Sequence, residues 1–177
     1  AGSFGRVLRV RRVNQVTEKL ALKVSLLINS KELDIEHRLL RKHAQSCECS
    51  LLVRPHSDLL RTTHLCGYVM TPVGMKSLHR SSLTDEHLNL VVHALFGLHS
   101  HNPVVIHGDP RLANIILRPD GCVSWVDLSK SQWNLGGLTF SISADICIMI
   151  ESVLGEFNAD TPGYNDLQNC CTVCSGD

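Results

Sequence analysis

The chain has no surplus of charge. Its 17 Lys and Arg match its 17 Asp and Glu, so no overall field draws it to nucleic acid or to an anionic membrane surface, and neither is expected as a partner. Long apolar runs are missing too. The longest, such as Ile146–Leu154, stop well short of the ~20 residues that span a bilayer, so no transmembrane helix is expected. No signal-peptide pattern is present, and the expected location is intracellular, in cytoplasm or nucleus. Aromatic content is low, at 5%. Cys171-x-x-Cys174 has no second C-x-x-C or H-x3-H to complete a zinc site. The eight cysteines are therefore expected to be reduced thiols, several of them buried. No internal repeat is evident.

What is present is an ordered succession of strand and helix signals. Val7–Val10 and Lys19–Val24, rich in β-branched residues and joined near Asn14, read as strands. Asn29 followed by Glu32 resembles a capping box, opening a helix over 31–43 with Leu33, Leu39 and Leu40 on one face. Glu36 lies on that same stripe, and a carboxylate aimed inward needs a cationic partner. Leu65–Met70 reads as a further strand, broken by the extended connector Thr71-Pro72-Val73-Gly74. Leu88, Val91, Val92, Leu95 and Leu98 have helical spacing over Asp85–His99. Ile115–Leu117, a turn at Arg118–Gly121, and Val123–Val126 form a hairpin signal. Ala144–Leu154 is apolar almost all round and stops at Gly155, as a buried helix would. The tail after Phe157 is polar and punctuated by Gly and Pro. The order is strand-rich, then helix-rich, which predicts an α+β class with a small sheet unit and a helical unit.

The chemistry concentrates in His107-Gly-Asp-Pro-Arg-Leu-Ala-Asn114 and in Asp127, thirteen residues further on at the end of an apolar strand. One short loop thus holds an Asp and an Asn, and the next hairpin ends in a second Asp. A base plus two hard oxygen ligands is what metal-assisted phosphoryl transfer from ATP requires.

These pieces, in this order, resemble the protein-kinase superfamily over about residues 1–155. Gly2-Ser3-Phe4-Gly5-Arg6-Val7 looks like the end of the glycine-rich loop, whose first glycine would precede Ala1; the chain is therefore expected to be a fragment beginning inside that loop. Ala21-Leu22-Lys23-Val24 resembles the V-A-I-K strand, His107–Asn114 the H-R-D catalytic loop, and Val126-Asp127-Leu128-Ser129 the D-F-G segment. The resemblance implies a two-lobe kinase-like fold: an antiparallel N-lobe sheet with one helix over 1–70, a hinge at 71–74, and a truncated, mainly helical C-lobe over 75–157, followed by a polar tail at 158–177. It implies ATP and Mg²⁺ as cofactors. Gly2, Gly5 and Val7 would cover the nucleotide, Lys23 would hold the α/β-phosphates with Glu36 pairing it, and Thr71 and Val73 would offer main-chain groups to adenine beside Met70. Asp109 would accept the acceptor hydroxyl proton, Arg111 would neutralise the transferred phosphoryl, and Asn114 and Asp127 would coordinate Mg²⁺. His107 is expected to be structural, and Asp145 to brace the loop through backbone N–H groups.

The chain departs from the family pattern at several points. Gly108 stands where the family has the Arg that reads a phosphorylated activation loop, and Leu128-Ser129 replaces Phe-Gly. Only eighteen positions separate Asp127 from Asp145, and there is no A-P-E segment. The compressed segment and the H-G-D loop are similar to the kinase domains of crinkler-type effectors, which would place the protein inside a host cell. The expected activity is phosphoryl transfer to protein hydroxyls, of Ser/Thr type because of Arg111. The alternatives are a small-molecule kinase of aminoglycoside-phosphotransferase type, acting on a small alcohol, and an ATP-binding pseudokinase or scaffold.

Overall fold

The computed structural model describes residues 5–12, 15–46, 51–74, 76–102, 104–133 and 138–155. The chain is a mixed α+β protein with small antiparallel sheets and, among the described residues, three helices. In order these are β1 (Arg6–Arg12), β2 (Gln15–Leu26), α1 (Ser30–Ser46), β3 (Arg54–Pro55), β4 (Leu60–Arg61), β5 (Leu65–Thr71) and β6 (Lys76–Ser77). They continue as α2 (Asp85–His99), β7 (Val105–Ile106), β8 (Ile115–Leu117), β9 (Val123–Trp125), β10 (Gln132–Trp133) and α3 (Leu138–Leu154). None of the described helices is long and apolar enough to cross a membrane.

Two compact units divide the chain: Ala1–Lys76 with Leu117–Ser129, and Ser77–Ile116 with Lys130–Asp177. This differs from the expected division, in which everything over 75–157 forms one piece. The physical reason lies at Trp125, whose N–H donates to the Leu51 carbonyl at 2.8 Å and whose carbonyl accepts from Val53 N–H. Backbone hydrogen bonds of that kind tie β9 to the first unit. The expected tail at 158–177 lies outside the described residues.

In the first unit, β1, β2, β5 and β3 form an antiparallel sheet in that order, with β4 also paired to β5. The β2–β5 register sets Ala21 opposite Met70, Lys23 opposite Tyr68 and Ser25 opposite Cys66. Because side chains alternate along a strand, these six share one face, and all six are buried. Helix α1 supplies the other half of this core with Leu33, Glu36, His37 and Leu40, spaced at three and four residues. The His37 and Tyr68 rings meet at 5.0 Å between centroids, and His37 Nε2 bonds the Ser57 carbonyl at 2.9 Å. Leu39, expected on the inward stripe, is only half-buried. The expected capping box does not form as read: Asn29 lies in a short 3-10 turn, and its amide donates back to Ser25 Oγ at 3.4 Å.

In the second unit, α2 spans the expected residues. Thr84 caps it by accepting the His87 N–H at 3.2 Å. Val91, Ala94, Leu95 and Leu98 make its buried stripe, while Val92, expected inward, is exposed. Helix α3 begins at Leu138, six residues before the expected start. It is not buried all round: Ile146 and Leu154 are exposed at 39% and 51%, while Asp145 and Met149 are buried. The expectation that the cysteines are all reduced also fails at one position. Cys147 on α3 is disulfide-bonded, whereas Cys66 and Cys122 are free.

Candidate functional site

In the first unit the site grows out of a buried ion pair. Lys23 projects from β2 into the sheet–helix core and donates to Glu36 Oε2 at 2.6 Å; the Glu36 side chain is only 2% exposed. The same ammonium reaches Asp127 Oδ1 at 3.2 Å. Burial pulls the Lys23 ammonium pKa down, but Glu36 and Asp127 together outweigh it and hold it above the ordinary lysine value. Burial pushes the Glu36 carboxyl upward, and Lys23 opposes that push. Tyr68, across the ladder from Lys23, carries no signal in the sequence that marks it for this site. Burial, reinforced by Glu36, drives its phenol well above the usual range. The hydroxyl has no hydrogen-bond partner at bonding distance among the described residues.

Asp127 follows β9 with φ at 64°, the left-handed region that residues with a Cβ rarely occupy and that Asp tolerates better than most. Its carboxylate is thereby turned to Lys23. Val7 lies opposite Lys23 in the β1–β2 ladder and is exposed. Gly5 has φ at 154°, and a Cβ there would meet the Val24 carbonyl at 2.5 Å. Its missing side chain therefore serves the approach to β2, whatever else it permits. Thr71 stands opposite Arg54 at the end of β5, and Val73 follows, half-buried, in the connector. Gly2 lies outside the described residues.

The second unit holds Asp109, Arg111 and Asn114. Asp109 takes Arg111 Nε on Oδ1 at 2.7 Å and a second Arg111 nitrogen on Oδ2 at 2.8 Å. Asn114, buried, donates its amide to the Asp109 carbonyl at 2.9 Å, which fixes the short loop between them. His107 is fully buried, and its Nδ1 accepts the Asp109 N–H at 3.3 Å, a structural role. Asp145 accepts the N–H groups of His107 and Gly108 at 2.8 and 2.9 Å and bonds His99 Nε2 at 3.0 Å. It sits in the interior of α3, not at its start. Ser152, another residue without a sequence signal, accepts the Leu112 N–H at 2.8 Å.

The residues therefore gather in two sets: Lys23, Glu36 and Asp127 in one unit, and Asp109, Arg111 and Asn114 in the other. Among the described residues no group of three or more His, Cys, Asp or Glu is assembled around a common metal position. Magnesium does not require one. It binds through one or two protein oxygens and fills its shell with water and phosphate oxygens. Asp127 and Asn114 supply hard oxygens of the fitting kind. No protein-family model matches this chain, and a search of curated proteins finds no match either.

Proposed function

We propose that the protein is an ATP-dependent phosphotransferase of divergent protein-kinase type. The observation that bears most weight is the Lys23 ammonium shared by Glu36, at 2.6 Å, and Asp127, at 3.2 Å. A sheet lysine fully engaged by a helix carboxylate, with a second carboxylate alongside, is an arrangement for gripping phosphate oxygens and a hard cation. When bound, Mg-ATP would supply the γ-phosphoryl group. Lys23 would bind phosphate oxygens, and Glu36 would keep it aimed. Asp127 and Asn114 would hold Mg²⁺. Asp109 would orient the acceptor hydroxyl and accept its proton, and Arg111 would neutralise charge on the transferred group.

A protein Ser/Thr hydroxyl is the first acceptor class. One observation favours the second, a small alcohol: Gly108 has φ at 78°, and a Cβ there would overlap the Lys130 carbonyl. The phosphate-reading arginine of regulated protein kinases has no place at that position. The test is transfer of γ-labelled phosphate from Mg-ATP by the full-length protein, with Asp109→Asn alongside. Label on the protein itself or on casein, lost in the variant, supports the protein-kinase reading. Label only on an aminoglycoside moves the assignment to the small alcohol. ATP binding without any transfer leaves a scaffold, and equal transfer by parent and variant removes Asp109 as the base.

A further inference from the structure

Residues 130–133 run alongside the loop that bears Asp109, one contact after another. Trp133 and Gln132 pair antiparallel with Val105 and Ile106. Ser131 Oγ donates to the His107 carbonyl at 2.8 Å. The Lys130 backbone closes on Gly108, where no Cβ could stand. The Lys130 ammonium then reaches Asp109 Oδ2 at 3.3 Å. The pairing thus delivers Lys130 to the candidate base from a segment separate from the one that carries Arg111.

Stability does not explain this second cation. The side chains of Lys130 and Arg111 are 57% and 56% exposed, and exposed ion pairs contribute about 0–1 kcal/mol. A mechanistic difficulty does. Arg111 engages both oxygens of Asp109, yet the same guanidinium is assigned to the transferred phosphoryl. When it turns to that anion, Asp109 loses its side-chain clamp from the 109–114 loop. Lys130, anchored through its own backbone, is not freed by that movement.

We propose that Lys130 is a positioning residue that holds Asp109 oriented when Arg111 engages the phosphoryl group. This inference rests on the phosphotransferase reading. Full-length parent, Lys130→Met and Lys130→Arg are compared by kcat and KM for Mg-ATP with casein as acceptor, and by the ¹³C resonance of the Asp109 carboxyl at neutral pH. In Lys130→Met, kcat falls about tenfold, as a misplaced catalytic group implies; KM for ATP is unchanged and the Asp109 resonance moves. Lys130→Arg restores both. An unmoved resonance or an unchanged kcat in Lys130→Met overturns the proposal. If the parent transfers no phosphate, the phosphotransferase reading fails on its own, and the resonance still decides whether Lys130 holds Asp109.

Discussion

Two carboxylate–cation clusters in this molecule obey different physics. The Lys23–Glu36 pair is almost wholly buried, with side chains 10% and 2% exposed. The Asp109–Arg111–Lys130 group has both its cations in water. In the first, the low-dielectric surroundings make each charge dependent on the other, so the pair is bound up with the fold. In the second, solvent screening leaves little net energy in the contacts, so the geometry matters more than the stability. The contrast separates a group on which the stability of its unit depends from one whose contacts carry little of that stability.

The largest effect that tests this contrast is Lys23→Met. It strands Glu36 inside the sheet–helix core and should destabilise the protein by about 3–5 kcal/mol, whereas replacing both partners with apolar residues should recover most of the loss. Urea unfolding of the single and double variants checks it. If the single variant costs no more than a surface change, the pair is not buried as described. Next comes Asp145→Ala, which orphans the N–H groups of His107 and Gly108 and should cost about 2–3 kcal/mol. Hydrogen exchange at those two amides should accelerate well beyond the change at Val91 on α2.

A smaller effect is the alkaline limb of stability. The Lys23 pKa is raised above the ordinary 10.5, so the folded state holds that proton more tightly than the unfolded one. Its contribution is complete below 10.5 and is lost as pH climbs through the higher folded value. Tyr68, raised well above 10.0, acts in the same direction. Thermal melts from neutral to alkaline pH should therefore show a steeper decline in the parent than in Lys23→Met; parallel declines would contradict the assignment. The smallest effect is that of Asp109→Asn on stability, expected below about 1 kcal/mol even where phosphate transfer is lost. A large drop in its melting temperature would erase the distinction between the two clusters.

Sequence patterning makes some of this readable. A carboxylate on an apolar helical stripe demands a cation, and the position of Glu36 on α1 is enough to raise that demand. Asp85–His99 declares itself through apolar spacing alone. Other features leave no periodic trace. Thr139, Ser141 and Ser143 are weak helix formers, so the first turns of α3 hide behind its apolar second half. An exposed lysine such as Lys130 has no pattern to mark it, and β10, two residues long, is too short for alternation to show. Tyr68 sits in an ordinary strand, and its place over the Lys23–Glu36 pair follows from the β2–β5 register, a property of two segments and not of either alone. The disulfide at Cys147 is likewise invisible, since cysteine spacing does not specify pairing.

The backbone contacts of Trp125 with Leu51 and Val53 have a consequence for how the protein is made. The first unit needs Leu117–Ser129 to be complete, but the ribosome delivers all of Ser77–Ile116 before it. At about 5–20 residues per second, that interval lasts a few seconds. During it residues 1–76 are without the pairing of Leu51 and Val53 to Trp125 and without the Asp127 contact to Lys23. The first unit is thus built from two stretches of chain that are synthesised apart, and a pause in translation before Leu117 would lengthen the interval between them.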